Sequence, residues 1–303
     1  MLARGGEGLR LLTGTVTSSS LVAQIAALQK QLPAMRWHQW EPMHRDNEFA
    51  ACAQAFGRPL ERVFDLDRAN VIFAVESDLI SAVPGWLAYA REFAARRRPD
   101  ETGGKMSRVY AVEGTPTLIG AKADHRLPMQ PPELLQAMRY LAGAVGAGPK
   151  EWAQPDAKNA AWLKAAAQDL MQNRGRALVH AGREHPIEIH FLAESINGAL
   201  GAFGATIRLV EPIAVSLSAK RRSLQKLTAD MAAGSVETLL IVDRNQVYDA
   251  PVDLDFATAL KRVPFSVSLA LYADETAEAC TWKTKKPGIG ISAGPPQRCC
   301  YSW

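Results

Sequence analysis

The sequence is typical of an α/β protein with two doubly wound, mostly parallel units. Short apolar runs rich in β-branched residues alternate with amphipathic helical patterns, which indicates parallel sheets covered by helices. Apolar residues make up 48% of the 303 positions, and a chain of this length has room for two domains. The alternation restarts after a Gly- and Ala-rich stretch at 143–149, so we expect a linker there.

Residues 1–147 are predicted to form the first α/β unit. The first strand runs into a Thr- and Ser-rich segment that supplies N-cap residues for the next helix. The strand at 71–75 is a continuous apolar run, as expected of a strand buried on both faces. In order, the predicted elements are strand 9–16, helix 21–32, strand 35–40, helix 46–56, strand 71–75, helix 86–98, strand 108–112 and helix 133–145.

Residues 148–282 are predicted to form the second unit, with the same alternation. In order, its elements are helix 159–172, strand 177–181, helix 187–200, strand 206–210, helix 223–233, strand 236–242, helix 256–262 and strand 265–271. Residues 283–303 combine Pro, Gly and four basic side chains with no acid. Such a composition buries too little apolar surface to offset its ordering entropy, so we expect a disordered tail.

The charge of the chain argues against a nucleic-acid partner. Lys and Arg total 35 against 31 for Asp and Glu, a formal net charge of +4. The whole excess lies in the tail, because Lys283, Lys285, Lys286 and Arg298 stand there without an acid. A nucleic-acid binder needs basic side chains on the folded surface that meets the phosphates. We therefore expect no nucleic-acid partner.

The cysteines and the apolar segments exclude two further classes of protein. Cys52, Cys280, Cys299 and Cys300 form no C-x-x-C pair, whereas iron–sulfur clusters and structural zinc sites need several thiolates at short spacing. No apolar run reaches the roughly 18 residues of a membrane-spanning helix. The N-terminal segment lacks the apolar core of an export signal, so we expect the chain expressed alone to stay in the cytoplasm.

Ligands in such sheets bind beyond the carboxyl ends of the strands, which here are followed by the loops at 76–85, 113–132 and 243–251. The carboxylates of Glu76 and Asp78 could serve acid–base chemistry or form a solvated turn. The sequence leaves both interpretations open, and the turn is the commoner case.

Two pairs of residues suggest catalysis or metal binding only weakly. Asp124 and His125 could be half of a catalytic dyad, but no G-x-S-x-G elbow supplies a nucleophile. Glu184 and His185 are followed by His190, which is not the H-E-x-x-H spacing of a zinc site. Satisfied imidazoles at a helix start are the simpler interpretation, and the aromatic cluster at 37–44 is interpreted as packing at a strand edge.

The glycines do not match a dinucleotide-binding loop. Gly5, Gly6 and Gly8 precede the first strand, whereas a phosphate-cradling loop follows it. Classical NAD binding is therefore not expected.

Six segments of the chain resemble the molybdopterin oxidoreductase family. More narrowly, they resemble the iron–sulfur large subunit of the bacterial alternative complex III, a quinol-oxidising respiratory assembly. The resemblance runs from about residue 7 to residue 282, in the family's order. The segments are RLLTGTVTSSSLVAQIAAL at 10–28, RWHQWEPMHRDN at 36–47, ANVIFAVESDLISAVPGWLAYAREFAARRR at 69–98, YAVEGTPTLIGAKADHRLP at 110–128, TLLIVDRNQVYDAPVDLDFATALKRVP at 238–264 and LYADETAEACTW at 271–282.

The resemblance implies two Rossmann-like units of the molybdopterin-oxidoreductase type, which in the family hold a molybdenum-bound pterin guanine dinucleotide by their strand-end loops. No residue stands out as a catalytic group or as a molybdenum ligand. The family's Gly-x-Asn-Pro turn appears here as the segment 243–246, Asp-Arg-Asn-Gln. It lacks the Gly that allows close approach and the Pro that fixes the turn. The cofactor-binding residues implied by the resemblance are Ser77, Thr115, Asp124, Asn245, Glu275 and Thr276.

These departures favour a central fragment with a degenerate pterin site, inactive alone, that acts as a scaffold in quinol oxidation. By resemblance, iron–sulfur clusters belong to a C-terminal ferredoxin-like region outside this chain. The expected partners are the other subunits of a membrane-bound respiratory complex, at the periplasmic face of the inner membrane. The alternative is a fragment of an active oxidoreductase that uses the pterin dinucleotide. The sequence after Trp282 departs from the family, which suggests a frameshift or a truncation.

Overall fold

The computed structural model describes residues 2–154, 159–214, 220–284 and 291–293. The strands are β1 (Leu9–Thr13), β2 (Arg36–Gln39), β3 (Glu61–Phe64), β4 (Val71–Val75), β5 (Arg108–Glu113), β6 (His125–Pro128), β7 (Ala177–Ala181), β8 (Ile207–Val210), β9 (Thr238–Val242), β10 (Phe265–Leu269), β11 (Trp282–Thr284) and β12 (Ile291–Ala293). The helices are α1 (Ser19–Gln31), α2 (Asp46–Phe56), α3 (Trp86–Ala95), α4 (Leu118–Ala121), α5 (Pro131–Val145), α6 (Ala160–Gln172), α7 (Ile187–Ala199), α8 (Lys220–Ala232), α9 (Gln246–Asp249), α10 (Phe256–Leu260) and α11 (Glu275–Ala279). Short 3₁₀ helices lie at Leu2–Arg4, Leu66–Arg68, Lys150–Ala153 and Val252–Leu254.

The chain folds into two compact units, and the first of them is discontinuous. Unit 1 consists of Met1–Asp46 and Ile213–Trp303, and unit 2 consists of Asn47–Pro212. Unit 1 holds a sheet of strand order β12-β11-β10-β9-β1-β2. All neighbours in it are parallel except β11 and β12.

In unit 2, helices cover both faces of a parallel sheet. Its sheet has the order β6-β5-β4-β7, all parallel. Every residue of β4 is buried, and alternate side chains enter two separate cores. Phe73 packs with helices α5, α6 and α7 on one face, and Ile72 packs with α3 on the other. The continuous apolar run at 71–75 thus reflects a strand covered by helices on both faces.

These sheets confirm the predicted α/β class with parallel, Rossmann-like units. Strand Ile207–Val210 is an exception, because it pairs antiparallel with β3 in a separate two-stranded ribbon. The sequence pattern placed it in a parallel sheet and did not indicate β3 at all. Among the described residues, no helix is both long enough and apolar enough to cross a membrane.

The two units differ from the predicted halves 1–147 and 148–282. Strand β1 pairs in parallel with β9, Leu9 opposite Thr238, so both ends of the chain build one sheet. The expected linker at 143–149 lies inside unit 2. Its first residues close α5, and a Cβ on Gly143 would stand 2.8 Å from the Ala153 nitrogen. The small residues there permit close packing of a 3₁₀ helix on α5.

The tail predicted as disordered, 283–303, is described only in part. Lys283 and Thr284 lie in β11, and Ile291–Ala293 form β12 antiparallel to it. These residues are therefore in strands. The rest of the tail, with Cys299 and Cys300, lies outside the described residues.

Candidate functional site

Each unit has a switch point, where the chain leaves two adjacent parallel strands toward opposite sides of the sheet. In unit 1 this point lies between β1, which leads to β2, and β9, which leads to β10. In unit 2 it lies between β4, which leads to β5, and β7. The loops after such a strand pair open a crevice where ligands bind in α/β sheets.

The crevice of unit 1 is filled by an ion pair. The Arg244 guanidinium lies against Gly14, and a Cβ on residue 14 would overlap it. Arg244 Nη2 is 3.2 Å from Glu41 Oε1, and the same oxygen accepts a 2.9 Å hydrogen bond from the Thr15 nitrogen. The loops after β1, β2 and β9 are thus tied together by the protein's own side chains.

Three of the residues predicted from the resemblance meet beside this pair. Asn245 Oδ1 accepts from the Thr276 nitrogen at 3.1 Å and from Thr276 Oγ1 at 2.9 Å. Asn245 Nδ2 donates to Glu275 Oε2 at 2.6 Å, and this donor lowers the pKa of the Glu275 carboxyl. Thr276 Oγ1 also accepts from the Val247 nitrogen at 2.9 Å. The cluster fastens the loop after β9 to the start of α11.

The turn at 243–246 begins with Asp243, where the resemblance expects a glycine. Asp243 has φ +51°, in the left-handed region that favours glycine. Gln246 occupies the position of the family's proline and opens α9. Its side chain is fully buried, and neither amide atom has a hydrogen-bond partner among the described residues.

A half-buried carboxyl, that of Asp249, lies next to this turn. Asp249 Oδ1 accepts a 3.1 Å hydrogen bond from Trp40 Nε1. Burial raises the pKa of Asp249, and the Trp40 donor opposes that rise. The bond joins α9 to the end of β2, so the aromatic cluster at 37–44 has a packing role, as expected.

The crevice of unit 2 is filled by a carboxylate. Glu76 follows β4 with φ +41°. Its Oε1 accepts a 3.0 Å hydrogen bond from the Gly114 nitrogen, and its Oε2 lies 3.6 Å from His185 Nε2. Burial lowers the pKa of His185, and Glu76 opposes that effect. A Cβ on Gly182 would overlap the Glu76 carbonyl oxygen, so the loop after β7 lies directly on Glu76.

The structure does not bring the other three predicted residues to one place. Ser77 is fully buried, and its hydroxyl bonds His180 Nδ1 at 2.5 Å. Thr115 is exposed in the loop after β5. Asp124 immediately precedes β6, at the amino-terminal edge of the sheet, where it accepts from the Val109 nitrogen at 2.8 Å and from Arg97. The sequence placed Asp124 in the strand-end loop at 113–132, whereas the structure places it at the opposite edge of the sheet.

The other candidate groups have structural partners. Asp78 Oδ2 accepts from the Leu118 nitrogen at 3.4 Å, which joins the loop after β4 to the start of α4. His125 stacks on Tyr110 with ring centroids 4.8 Å apart, and Asp124 is engaged as described, so no dyad forms. In the part of the chain that the structure describes, no group of three or more His, Cys, Asp or Glu side chains is arranged to hold a metal ion.

The residues at the two crevices do not fit a pterin dinucleotide in this arrangement. Phosphate groups bind backbone N–H groups at close approach. In unit 2 the Glu76 carboxylate takes the Gly114 N–H and would repel a phosphate. In unit 1 the Arg244 side chain occupies the space against Gly14. The sequence pattern missed the pairing of Arg244 with Glu41. The lone Gly14 directly after a strand was the signal for a close approach.

Comparisons with known proteins support the fold at low sequence similarity. No family model matches the chain, and no curated protein matches it in sequence. Acetylene hydratase from Pelobacter acetylenicus is similar in structure, with a TM-score of 0.59 and 12% sequence identity. The match covers 99% of this chain and 53% of that one, so this chain spans about half of the length of its structural neighbour. The chain therefore shares the α/β fold of this neighbour over the matched part.

Proposed function

We propose that this chain is a scaffold part of a respiratory quinol-oxidising complex of the alternative complex III type, with a degenerate pterin site. The observation that carries this proposal is the Arg244 guanidinium seated against Gly14, paired with Glu41. Unit 1 would then have the fold of a cofactor-binding domain, but the Arg244–Glu41 ion pair would occupy the space that the cofactor needs. In unit 2, the Glu76 carboxylate occupies the crevice and binds the Gly114 N–H.

The two cysteines in the described part of the chain are consistent with a role without redox centres there. Cys52 and Cys280 are buried and unpaired. Burial raises the pKa of Cys280 to about 11 and also raises the pKa of Cys52. Burial therefore disfavours the thiolate of both side chains, which is the form that ligates iron. Electron transfer would pass through iron–sulfur clusters and haems in other parts of the complex.

A docking role is supported by exposed apolar side chains at the carboxyl edge of unit 1. Tyr248 and Val252 are 77% and 95% exposed in the segment after β9, and Leu271 and Tyr272 are 61% and 71% exposed after β10. Large apolar side chains exposed together mark interaction surfaces on soluble proteins. We propose that they contact the ferredoxin-like iron–sulfur region of the same subunit, at the periplasmic face of the inner membrane.

The docking surface is tested by sedimentation velocity of the chain with and without a separately expressed ferredoxin-like region. The proposal expects a complex with the native chain and a clear loss of binding for Val252→Asp. Met106→Asp serves as the matched control, because Met106 is 46% exposed in unit 2 just before β5. A chain that stays monomeric and binds no such region, or equal binding by both variants, would contradict the scaffold role.

The alternative is a fragment of an active oxidoreductase that uses the pterin dinucleotide. The cluster of Asn245, Glu275 and Thr276 favours it, since polar groups are held ready at a strand-end loop. In this alternative Arg244 would leave the crevice when the cofactor binds, and the cofactor would be found with the purified chain.

A further inference from the structure

Three arginines from separate segments converge at the amino-terminal edge of the sheet of unit 1. Arg4 ends the first 3₁₀ helix, Arg10 lies in β1 and Arg36 begins β2. With Asp230 of α8 they line a cavity of about 690 Å³. This edge is opposite to the one that carries the crevice, so the cavity is separate from the site described above.

One side of this cavity carries more positive than negative charge. The Arg10 side chain is only 5% exposed, and its Nε and Nη2 donate to Asp230 Oδ2 at 3.1 and 3.0 Å. Arg36 Nη1 donates to the same oxygen at 3.0 Å. Two guanidinium groups thus share one carboxylate, so this side of the cavity has an excess of one positive charge. Arg36 is 51% exposed and keeps further N–H donors accessible.

A glycine-rich turn holds the third arginine at the rim. The carbonyl oxygen of Gly5 accepts from the Ala34 nitrogen at 2.9 Å, and that of Gly8 accepts from the Glu237 nitrogen at 2.9 Å. A Cβ on Gly6 would stand 2.7 Å from Leu32 Cβ, and Gly6 has φ +87°. These contacts explain the glycines that precede the first strand, which the candidate nucleotide site does not use.

The remaining charged groups at the rim leave Arg36 as the accessible anion-binding side chain, with the buried charge of Arg10 beside it. Arg4 Nη2 is bound to Glu237 at 2.5 Å, and its Nη1 lies 3.8 Å from Glu7. Glu7 is 68% exposed, so solvent screens its charge. Arginine binds phosphate and carboxylate oxygens through its planar fork of N–H donors.

We propose that this cavity binds a small oxyanion ligand, a molecule with phosphate or carboxylate groups, through Arg36, with the buried guanidinium of Arg10 adding positive charge. The volume exceeds what a single inorganic ion needs and lies in the range of small-molecule sites. The ligand would supply the negative charge that Asp230 alone does not. This site does not rest on the proposed scaffold function and would exist in either alternative.

The test is thermal unfolding of the full chain with sodium phosphate, pyrophosphate or citrate, at an ionic strength held constant with sodium chloride. We expect a saturable rise of the unfolding midpoint with pyrophosphate or with citrate, and the stronger of the two identifies the preferred group. Arg36→Gln should weaken that binding about tenfold without lowering the ligand-free midpoint much. Arg58→Gln is the matched control, because Arg58 is an exposed, ion-paired arginine of unit 2.

A second variant separates a specific site from general charge effects. Asp230→Asn removes the carboxylate that competes with the ligand, so it should tighten oxyanion binding several-fold. The proposal is overturned if none of the three oxyanions gives a saturable shift, if Arg36→Gln binds as tightly as the native chain, or if Asp230→Asn binds no more tightly.

Discussion

The guanidinium of Arg244 occupies the space that a side chain on Gly14 would need. The two residues follow β9 and β1, the strands that meet at the switch point of unit 1. Because Gly14 has no side chain, Arg244 can lie across the crevice and reach Glu41 at 3.2 Å. Residue 14 is not in the left-handed region, so its lack of a Cβ matters for space and not for backbone conformation.

This relationship predicts that the effect of Gly14→Ala depends on residue 244. In the native chain the new methyl group displaces Arg244 and breaks a partly exposed ion pair, which should cost up to about 1 kcal/mol. In an Arg244→Ala background the overlap is gone, and Gly14→Ala should become neutral or stabilising by up to about 1 kcal/mol. Urea unfolding of the four chains measures this double-mutant cycle. Additive effects would show that the two residues are not coupled.

The left-handed backbone of Asp243 predicts an unusual order of stabilities. Asp243→Gly should stabilise the fold by up to about 1 kcal/mol, because glycine adopts φ +51° without a steric penalty. Asp243→Ala should be less stable than Asp243→Gly by about 1 kcal/mol. At Asp67, an exposed residue of a 3₁₀ helix without positive φ, the order should reverse. The unfolding free energies of the four variants check this, and Ala better than Gly at position 243 would contradict it.

The environment of His38 favours the neutral imidazole. His38 is 4% exposed in β2, and its Nδ1 donates to the Ser223 carbonyl oxygen at 2.9 Å. Its Nε2 has no hydrogen-bond partner among the described residues. Burial lowers the pKa of His38 to about 4, the Ser223 carbonyl opposes this, Arg10 and Lys226 lower it further, and Asp230 raises it.

A histidine of this kind makes the fold less stable in acid. Between pH 6.5 and 4 the unfolded chain binds a proton at His38 that the folded chain does not, so stability falls as the pH falls. The full effect is about 3 kcal/mol for a pKa lowered from 6.5 to about 4. His38→Gln should flatten the stability profile in this range, and His125→Gln, at an exposed position, should not. An unchanged slope in His38→Gln would contradict the assignment.

The buried amide of Gln246 predicts a stabilising substitution. An unpaired buried amide costs about 1 kcal/mol or more, and Met has a similar unbranched shape without polar hydrogen-bonding groups. Gln246→Met should therefore raise the unfolding free energy by about 1 kcal/mol. Gln24→Met, at an exposed position of α1, should have little effect. A destabilised Gln246→Met would mean that the amide has a role in the fold that the described contacts do not contain.

Local sequence patterns predicted the strands better than their pairing. The bounds 71–75 and 177–181 agree with β4 and β7, because buried parallel strands are mostly apolar runs between polar turns. The discontinuous unit was missed because the pairing of Leu9 with Thr238 joins residues far apart in the chain, and periodicity reports only neighbours.

A buried and paired charge also made one strand hard to predict from the sequence. Strand β3 begins Glu-Arg, which is unlike a strand with a buried face. Yet Arg62 is buried there, because it donates to Glu48 at 2.6 Å and to Glu194 at 2.8 Å. Of the predicted site residues, Asn245, Glu275 and Thr276 do meet, because the loops after β9 and β10 are adjacent. The Ser77 hydroxyl forms a hydrogen bond with the buried His180 side chain, and the local sequence does not predict this partner.

If Arg244 and Glu76 close the crevices of this chain, the pterin dinucleotide has no room to bind. The direct measurement is the molybdenum and guanine nucleotide content of the chain, purified from a host that makes the cofactor. A molybdopterin enzyme expressed in the same host shows that loading works. We expect neither molybdenum nor releasable guanine nucleotide in a stoichiometric amount. Near one equivalent of both per chain would contradict the account and favour an active oxidoreductase.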